Sequence, residues 1–187
     1  MDRMSLRAPL EGLTLVELMV VLLILAVLLT LGVPAMQQLS GSNRVRAEAH
    51  RLLAAINLAR SEAVLLNRPV SLCPSPMASN GVAECSGVYS AGWIVFSNLD
   101  GDREIDAGSD QVLRVFEGLP PGYRLTNRTG TRELADLISY LPDGSSRKNR
   151  TLLICSPPQV RVDPLGIVVN IVGRPRLARD WGQCASA

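Results

Sequence analysis

Residues 13–33 read LTLVELMVVLLILAVLLTLGV and follow directly on Gly12. As an α-helix this run would be about 31 Å long, enough to cross the hydrocarbon core of a bilayer. A secretory signal would have a shorter apolar core, followed by a small-residue cleavage site that residues 31–35, LGVPA, match poorly. The sequence therefore predicts one spanning helix that stays in the mature chain.

Glu17 is a carboxylate inside this apolar run. Its burial in lipid costs on the order of a few kcal/mol, so a compensating positive charge is expected. The alternative is a simple single-pass anchor in which Glu17 lies near the interface and is partly solvated.

The string Gly12, Leu13, Thr14, Leu15 and Glu17 resembles the N-terminal motif of the type IV pilin family. The resemblance implies that residues 1–12 are a leader peptide, that a prepilin peptidase cuts between Gly12 and Leu13, and that the new amine on Leu13 is methylated. It further implies that Glu17 pairs with a Leu13 amine during filament assembly.

Arginines flank the apolar run on both sides, so the positive-inside rule does not orient it. The pilin resemblance and the cysteines indicate the orientation of the apolar run instead. We expect a single-pass protein of the bacterial inner membrane with its C-terminal domain in the periplasm, which joins a periplasmic or extracellular filament after assembly.

Residues 34–67 are predicted to form an amphipathic helix, with Pro34 kinking or interrupting the long helix. Apolar residues recur at helical spacing and predict one buried face; they are Val45, Ala49, Leu52, Ile56, Ala59, Ala63 and Leu66. Pairing of Glu48 with Arg44 and Arg51 indicates a solvated opposite face, which also carries His50.

Residues 68–187 contain short β-branched runs separated by turn residues, which predicts an antiparallel β-rich globular domain. The candidate strands are residues 70–73, 93–97, 112–116, 137–141, 152–155 and 167–172. A long N-terminal helix packed on this domain is an α+β, pilin-like fold. Residues 59–63, 70–73, 92–96 and 112–114 resemble the GspH/FimT branch of minor pilins and pseudopilins.

The chain has four cysteines, Cys73, Cys85, Cys155 and Cys184, and none forms a CxxC pair. An even number in a domain carried across a membrane indicates disulfides. Three pairings are open; we favour Cys73 with Cys85 and Cys155 with Cys184.

Residues 98–106, NLDGDREID, place oxygen-bearing side chains at alternate positions, as a calcium loop would. Arg103 stands where an EF-hand needs its turn glycine. We therefore favour an acidic turn between two strands over a calcium site. His50 is the only histidine, and the chain has neither GxSxG nor zinc-ligand spacing. No enzyme, metal or cofactor is predicted.

Residues 173–176, GRPR, resemble the GRxR motif in the C-terminal tail of FimT-type minor pilins, which bind DNA during natural transformation. By this resemblance Arg174 and Arg176 contact phosphates. The basic residues Arg147, Lys148, Arg150 and Arg179 extend the surface. The alternative is that Arg174 and Arg176 pair with acidic neighbours or with the next subunit.

These observations predict a minor pilin or pseudopilin that does no catalysis. Its expected partners are other pilins or pseudopilins, prepilin peptidase, the inner membrane and double-stranded DNA. The GRPR tail favours a type IV pilus with a role in DNA uptake. The alternative is a type II secretion pseudopilin of the protein H kind, which acts in protein export without DNA. The net charge of +2 is too small for the whole surface to attract nucleic acid, so any attraction must be local.

Overall fold

The computed structural model describes residues 14–185. The predicted cleavage site between Gly12 and Leu13 lies outside the described residues. The chain divides into two compact units, Met1–Gln37 and Gln38–Ala187.

The first element is helix α1, Leu15–Leu66. Thr14 caps it, because its Oγ1 accepts a hydrogen bond of 3.2 Å from the N–H of Glu17. Thr14 and Glu17 stand at the two key positions of a capping box, S/T-x-x-E. The negative side chain of Glu17 also lies in the first turn, where the helix dipole favours it.

The expectation that Pro34 interrupts the helix is wrong, because α1 continues through it. A proline removes one backbone hydrogen bond, whereas the residues after it, 35–38, are strong helix formers. Local adjustment satisfies the freed carbonyl in many spanning helices. Pro34 is therefore an internal residue of α1.

The part of α1 in the first unit exposes nearly all its large apolar side chains, such as Leu15 at 74% and Leu25 at 49%. Among the described residues, α1 is the one helix long and apolar enough to cross a membrane. A soluble surface would not carry an apolar band of this length, whereas a bilayer or a filament core would cover it.

The part of α1 in the second unit buries the predicted face, with one exception. Val45, Ala49, Leu52, Ile56, Ala59 and Ala63 are buried in one core with both sheets. Leu66 is 41% exposed, because α1 ends there and the chain turns away through Asn67 at φ +49°.

The predicted ion pairs form, but the face that carries them is only partly solvated: Arg44 and His50 are exposed, whereas Glu48 is buried. Glu48 lies 2.8 Å from Arg51 and 3.9 Å from Arg44, yet Glu48 is only 9% exposed. The Arg51 guanidinium lies 4.6 Å from the centre of the Trp93 ring and donates to the carbonyl of Gly118. The aromatic ring and this loop therefore cover the helix here, while His50 is exposed.

Eight strands follow α1. They are β1 Val70–Pro74, β2 Gly92–Ser97, β3 Val112–Glu117, β4 Arg124–Thr126, β5 Ile138–Tyr140, β6 Arg150–Cys155, β7 Leu165–Val169 and β8 Pro175–Ala178. A short helix α2, Met77–Asn80, and a 3₁₀ turn, Tyr89–Ala91, lie between β1 and β2. The strands form two antiparallel sheets, ordered β3-β2-β1-β5 and β4-β6-β7-β8. This confirms the α+β class.

The six predicted strands correspond to β1, β2, β3, β5, β6 and β7. The last prediction was placed too late: β7 ends at Val169, and Ile171 and Val172 are each 58% exposed in the following turn. That turn is stabilised by backbone N–H groups that donate to the side-chain oxygens of Asn149 and Asn170, which hydropathy does not reveal. β4 and β8 were not among the predicted strands, because RLT and PRLA are short and neither contains a run of β-branched residues.

Both disulfides follow the favoured pairing. Cys73 in β1 is bonded to Cys85, and Cys155 in β6 is bonded to Cys184. The second bond fastens the C-terminal tail, residues 179–185, to the second sheet.

Candidate nucleic-acid interface

The two faces of the second sheet differ in what they contact. The cross-strand row Leu152, Ile167 and Leu177 faces the core, where Leu177 packs against the buried cluster. The adjacent row, Thr151, Val168 and Arg176, faces the other way because side chains alternate along a strand. Arg176 is therefore carried on the outer face of β8, the edge strand of this sheet.

The C-terminal tail covers part of that outer face. Leu153 points outward yet is only 1% exposed. A Cβ on Gly182 would lie 2.6 Å from Leu153 Cδ1 and would also meet the Arg128 carbonyl. Close approach of the tail to the sheet therefore requires glycine at position 182.

Trp181 lies in this tail and carries two guanidinium groups over its ring. The Arg176 guanidinium is 5.1 Å from the ring centre, and that of Arg128 is 5.3 Å from it. Both arginines are exposed. Sequence reasoning missed Trp181 and Arg128, and the only available signal was a tryptophan between Arg179 and Cys184.

Arg174 lies in the turn between β7 and β8, with an exposed side chain. Its backbone N–H donates to Asn170 Oδ1 at 2.8 Å. Ile171 N–H donates to Asn149 Oδ1 at 2.7 Å, and Ser146 N–H donates to the Ile171 carbonyl. The turn bearing Arg174 is thus tied to the loop that carries Arg147 and Lys148.

The other basic residues chosen from the sequence have different surroundings. Lys148 is exposed in that loop. Arg147 packs against Gly101 in the acidic loop, where a glycine Cβ would lie 2.8 Å from both Nη atoms. Arg150 donates to the Leu137 carbonyl at 2.6 Å and lies 3.5 Å from Asp136 Oδ2. Arg150 therefore interacts mainly within the fold, whereas Arg147 is exposed beside the acidic loop.

Arg179 also lies apart from Arg176. It lines a groove beside α1 together with Arg46, Arg161, Asp163 and Asp180. Arginines and carboxylates alternate around this groove, so its charge is mixed. The structure thus brings Arg174, Arg176 and Lys148 to one end of the second sheet and directs Arg179 elsewhere.

The acidic loop joins β2 to β3, which confirms the acidic turn predicted between two strands. Asn98 is fully buried, and its side-chain amide donates to Ser71 Oγ and to the Asp102 carbonyl. Asn98, the first residue of the alternating oxygen pattern in residues 98–106, therefore has its side chain bonded within the core and is not free to bind an ion. Carboxylate oxygens of Asp100, Asp102 and Asp106 lie within 4.8 Å of one another.

The clustering of these acids has an electrostatic consequence. Desolvation and the negative charges of Asp100, Asp102 and Asp110 raise the pKa of Asp106. The loop therefore presents a strongly negative surface next to Arg147, and it marks the boundary of any surface that attracts phosphate.

Two solved structures resemble the chain. The structure of the minor pseudopilin EpsH, from the type 2 secretion system of Vibrio cholerae, matches with a TM-score of 0.50 and 15% identity. The match covers 73% of this chain and 97% of EpsH. The type IV minor pilin FimU of Pseudomonas aeruginosa matches with a TM-score of 0.48 and 18% identity, over 73% of this chain and 89% of FimU. The match to EpsH shows that the fold is pilin-like.

The family model described as "Type II transport protein GspH" matches residues 48–173, and the chain belongs to this family. It is a minor pilin or pseudopilin of the GspH/FimT/FimU kind, with a role in a type IV pilus or in type II secretion. No curated protein matches the sequence. The family and its structural neighbours are structural pilins rather than enzymes, and membership implies assembly with other pilins or pseudopilins.

The apolar helix and the family together fit a membrane-anchored, single-pass protein. The family match ends at Gly173, one residue before Arg174. Arg174, Arg176 and the C-terminal tail therefore lie beyond the residues that the family model matches.

Proposed function

We propose that this chain is a minor pilin of a type IV pilus, and that the C-terminal arginine surface, Arg174, Arg176 and Lys148, binds duplex DNA during uptake. The proposal rests on the exposure of Arg174 and Arg176 and on their lack of carboxylate partners in the described part of the chain. Both are exposed, and within residues 14–185 neither forms an ion pair with a carboxylate.

The arrangement suits phosphate recognition rather than base recognition. Arginine offers a planar set of N–H donors that matches phosphate oxygens. Arg174 and Arg176 lie two residues apart at the start of an edge strand, and Lys148 lies in the loop tied to the same turn. Contacts of this kind bind DNA of any sequence and weaken steeply as salt rises.

A retention assay tests the proposal with the full-length chain in a nonionic detergent. We expect the double variant Arg174→Gln/Arg176→Gln to retain much less duplex DNA than the wild type. Arg68→Gln/Arg114→Gln is a matched control, because it removes the same charge from two exposed arginines elsewhere in the domain. Equal retention by the two double variants would contradict the proposal.

The anchor follows the pilin pattern in the same proposal. Prepilin peptidase removes residues 1–12, Leu13 becomes the methylated N-terminus, and residues 13–33 form the membrane and filament-core segment. Glu17 lies in the first turn of α1, close to where that amine would be. In the filament, Glu17 pairs with the Leu13 amine of the same or a neighbouring subunit, which neutralises both charges.

Mass spectrometry of the chain purified from membranes tests the processing step. The expected mass is that of residues 13–187 plus one methyl group. A chain of full mass, or one cut elsewhere, would exclude this site. Replacing Glu17 with glutamine should leave processing intact and reduce incorporation into filaments.

A second function is a type II secretion pseudopilin that acts in protein export and does not bind DNA. The family description favours it directly. Deletion of the gene separates the two functions: loss of DNA uptake with normal secretion supports the pilus, and the reverse supports the pseudopilus.

A further inference from the structure

The Trp181 ring lies beside two arginine side chains from distant parts of the chain. Arg176 approaches from β8 and Arg128 from the loop after β4, and their guanidinium groups lie 5.1 Å and 5.3 Å from the ring centre. The face of an indole attracts cations, and arginine is the usual partner. Trp181 therefore restricts two side chains that would otherwise be mobile on the surface.

Arg128 is fixed by its backbone as well as by its side chain. Its Nε–H donates to the Trp181 carbonyl at 3.1 Å, and its own carbonyl accepts a hydrogen bond of 3.2 Å from the N–H of Gln183. The next residue, Cys184, is bonded to Cys155 in β6. Gly130 also touches the tail backbone at Gln183 and Ala185, where a side chain would not fit.

Two carboxylates lie near this ring, since Asp163 and Asp180 line the same groove as Arg128 and Trp181, but they form no ion pair with the two guanidinium groups. Within residues 14–185, neither Arg128 nor Arg176 forms an ion pair with a carboxylate. Two guanidinium groups near one ring raise the local positive potential, which favours an anion beside them. Arg128 uses its Nε–H for the Trp181 carbonyl, which leaves the N–H groups of both Nη atoms to bind that anion.

We infer that Arg128 is a further phosphate ligand of the DNA-binding surface, and that Trp181 is the positioning residue that holds Arg128 and Arg176 ready for the phosphodiester backbone. This inference rests on the proposed function. It extends the surface from the turn at Arg174 across the outer face of the second sheet to the loop after β4.

The test measures the affinity of the full-length chain, in a nonionic detergent, for a fluorescent DNA duplex across a range of salt. We expect Arg128→Gln to weaken binding about fivefold at low salt and to lower the slope of log affinity against log salt by about one, since one phosphate contact is lost. Arg114→Gln is the matched control, because Arg114 also lies over an aromatic ring, that of Phe116 at 5.7 Å, but in the other sheet.

Trp181 is tested by a pair of variants. Trp181→Leu should weaken binding about threefold to tenfold while keeping most of the salt slope, because the charges remain but are no longer held. Trp181→Phe should restore most of the affinity, since it retains an aromatic face. Thermal unfolding of each variant shows whether the domain is intact, and any loss of affinity is compared only among folded variants.

The outcomes separate this inference from the proposed function. If Arg174→Gln/Arg176→Gln loses DNA while Arg128→Gln behaves like Arg114→Gln, the inference is overturned and the proposed function stands. If Arg174→Gln/Arg176→Gln binds like the wild type, both fall. An unchanged affinity for Trp181→Leu would overturn the positioning role alone.

Discussion

The backbone of Gly173 lies directly against the carbonyl group of Gly144. A Cβ on Gly173 would collide with that carbonyl oxygen and would lie 3.1 Å from Tyr140 Cε1. Gly173 also has φ +81°, a conformation that other residues adopt at a cost. This contact fixes the turn that presents Arg174, so the first residue of GRPR sets the position of the arginine after it.

Gly173→Ala should therefore destabilise the domain by about 1–3 kcal/mol and weaken DNA binding, because both strain and a backbone collision must be relieved. Gly81→Ala is the control: its φ is +73°, but nothing lies within 4 Å of the added carbon. Urea unfolding of the full-length chain measures the free energy of unfolding of both variants, and duplex DNA retention measures their DNA binding. A Gly173→Ala variant no less stable than Gly81→Ala would show that the contact with Gly144 is unimportant.

The two disulfides should differ in what their removal does. The bond from Cys155 to Cys184 closes a loop of 29 residues, and that from Cys73 to Cys85 closes one of 12. Removing either should cost about 3 kcal/mol of stability, slightly more for the longer loop. Only Cys155→Ser/Cys184→Ser should also weaken DNA binding, because only that bond holds the tail bearing Trp181.

Thermal unfolding and DNA anisotropy measure the two quantities on the same samples, under conditions where both double variants remain folded. If Cys73→Ser/Cys85→Ser weakens DNA binding as much as Cys155→Ser/Cys184→Ser, then general loosening of the domain, rather than the tail, controls affinity.

Asn98 should be required for stability rather than for binding an ion. Its amide group donates to Ser71 Oγ and to the Asp102 carbonyl, and its Oδ1 accepts the N–H of Gly101. Asn98→Ala leaves buried partners unsatisfied and should cost about 1–3 kcal/mol. Chemical unfolding with and without added calcium checks this, and the loss should be the same in both. A loss seen only with calcium would instead indicate a ligand role.

Two tyrosines should make the domain sensitive to alkali. Burial raises the pKa of Tyr140 to about 12, and burial also raises the pKa of Tyr89, whose hydroxyl lies within hydrogen-bonding distance of the Leu72 and Asp136 carbonyls. An unfolded tyrosine ionises near pH 10, so folding favours the protonated form. Their contribution is complete below about pH 10 and is lost as the pH rises through the folded values.

Tyrosinate absorbance and circular dichroism, followed together during an alkaline titration, test this expectation. Tyr89 and Tyr140 should ionise only as the secondary structure is lost. Ionisation of both in a domain that keeps its circular dichroism would contradict it. Tyr89→Phe and Tyr140→Phe identify which part of the absorbance change belongs to each residue.

Much of the fold could be predicted because its signals are local. The helical spacing from Val45 to Ala63 identified the buried face of α1, and β-branched runs located six of the eight strands. Expectations failed where a tertiary contact decides the outcome. Glu48 and Arg51 looked solvent-exposed until Trp93 was placed over Arg51. The burial of Asn98 against Ser71 was likewise not predicted from the sequence.

In the candidate site too, residues with a local sequence signal were predicted, and those placed by tertiary contacts were missed. Arg174 and Arg176 were found because they lie two residues apart in a short motif. Arg128 and Trp181 were missed because 53 residues separate them, and a disulfide and two glycines bring the tail to the loop. Conversely, Arg150 resembled a surface cation in the sequence, while the fold gives it Asp136 and the Leu137 carbonyl as partners.

The salt dependence of duplex DNA binding tests the central claim most directly. The full-length wild type and Arg174→Gln/Arg176→Gln are compared in the same detergent, with log affinity plotted against log salt. Two lost phosphate contacts should lower the slope by about two and weaken binding at every salt concentration. Identical slopes and affinities for the two proteins would contradict a DNA-binding role for the C-terminal arginine surface.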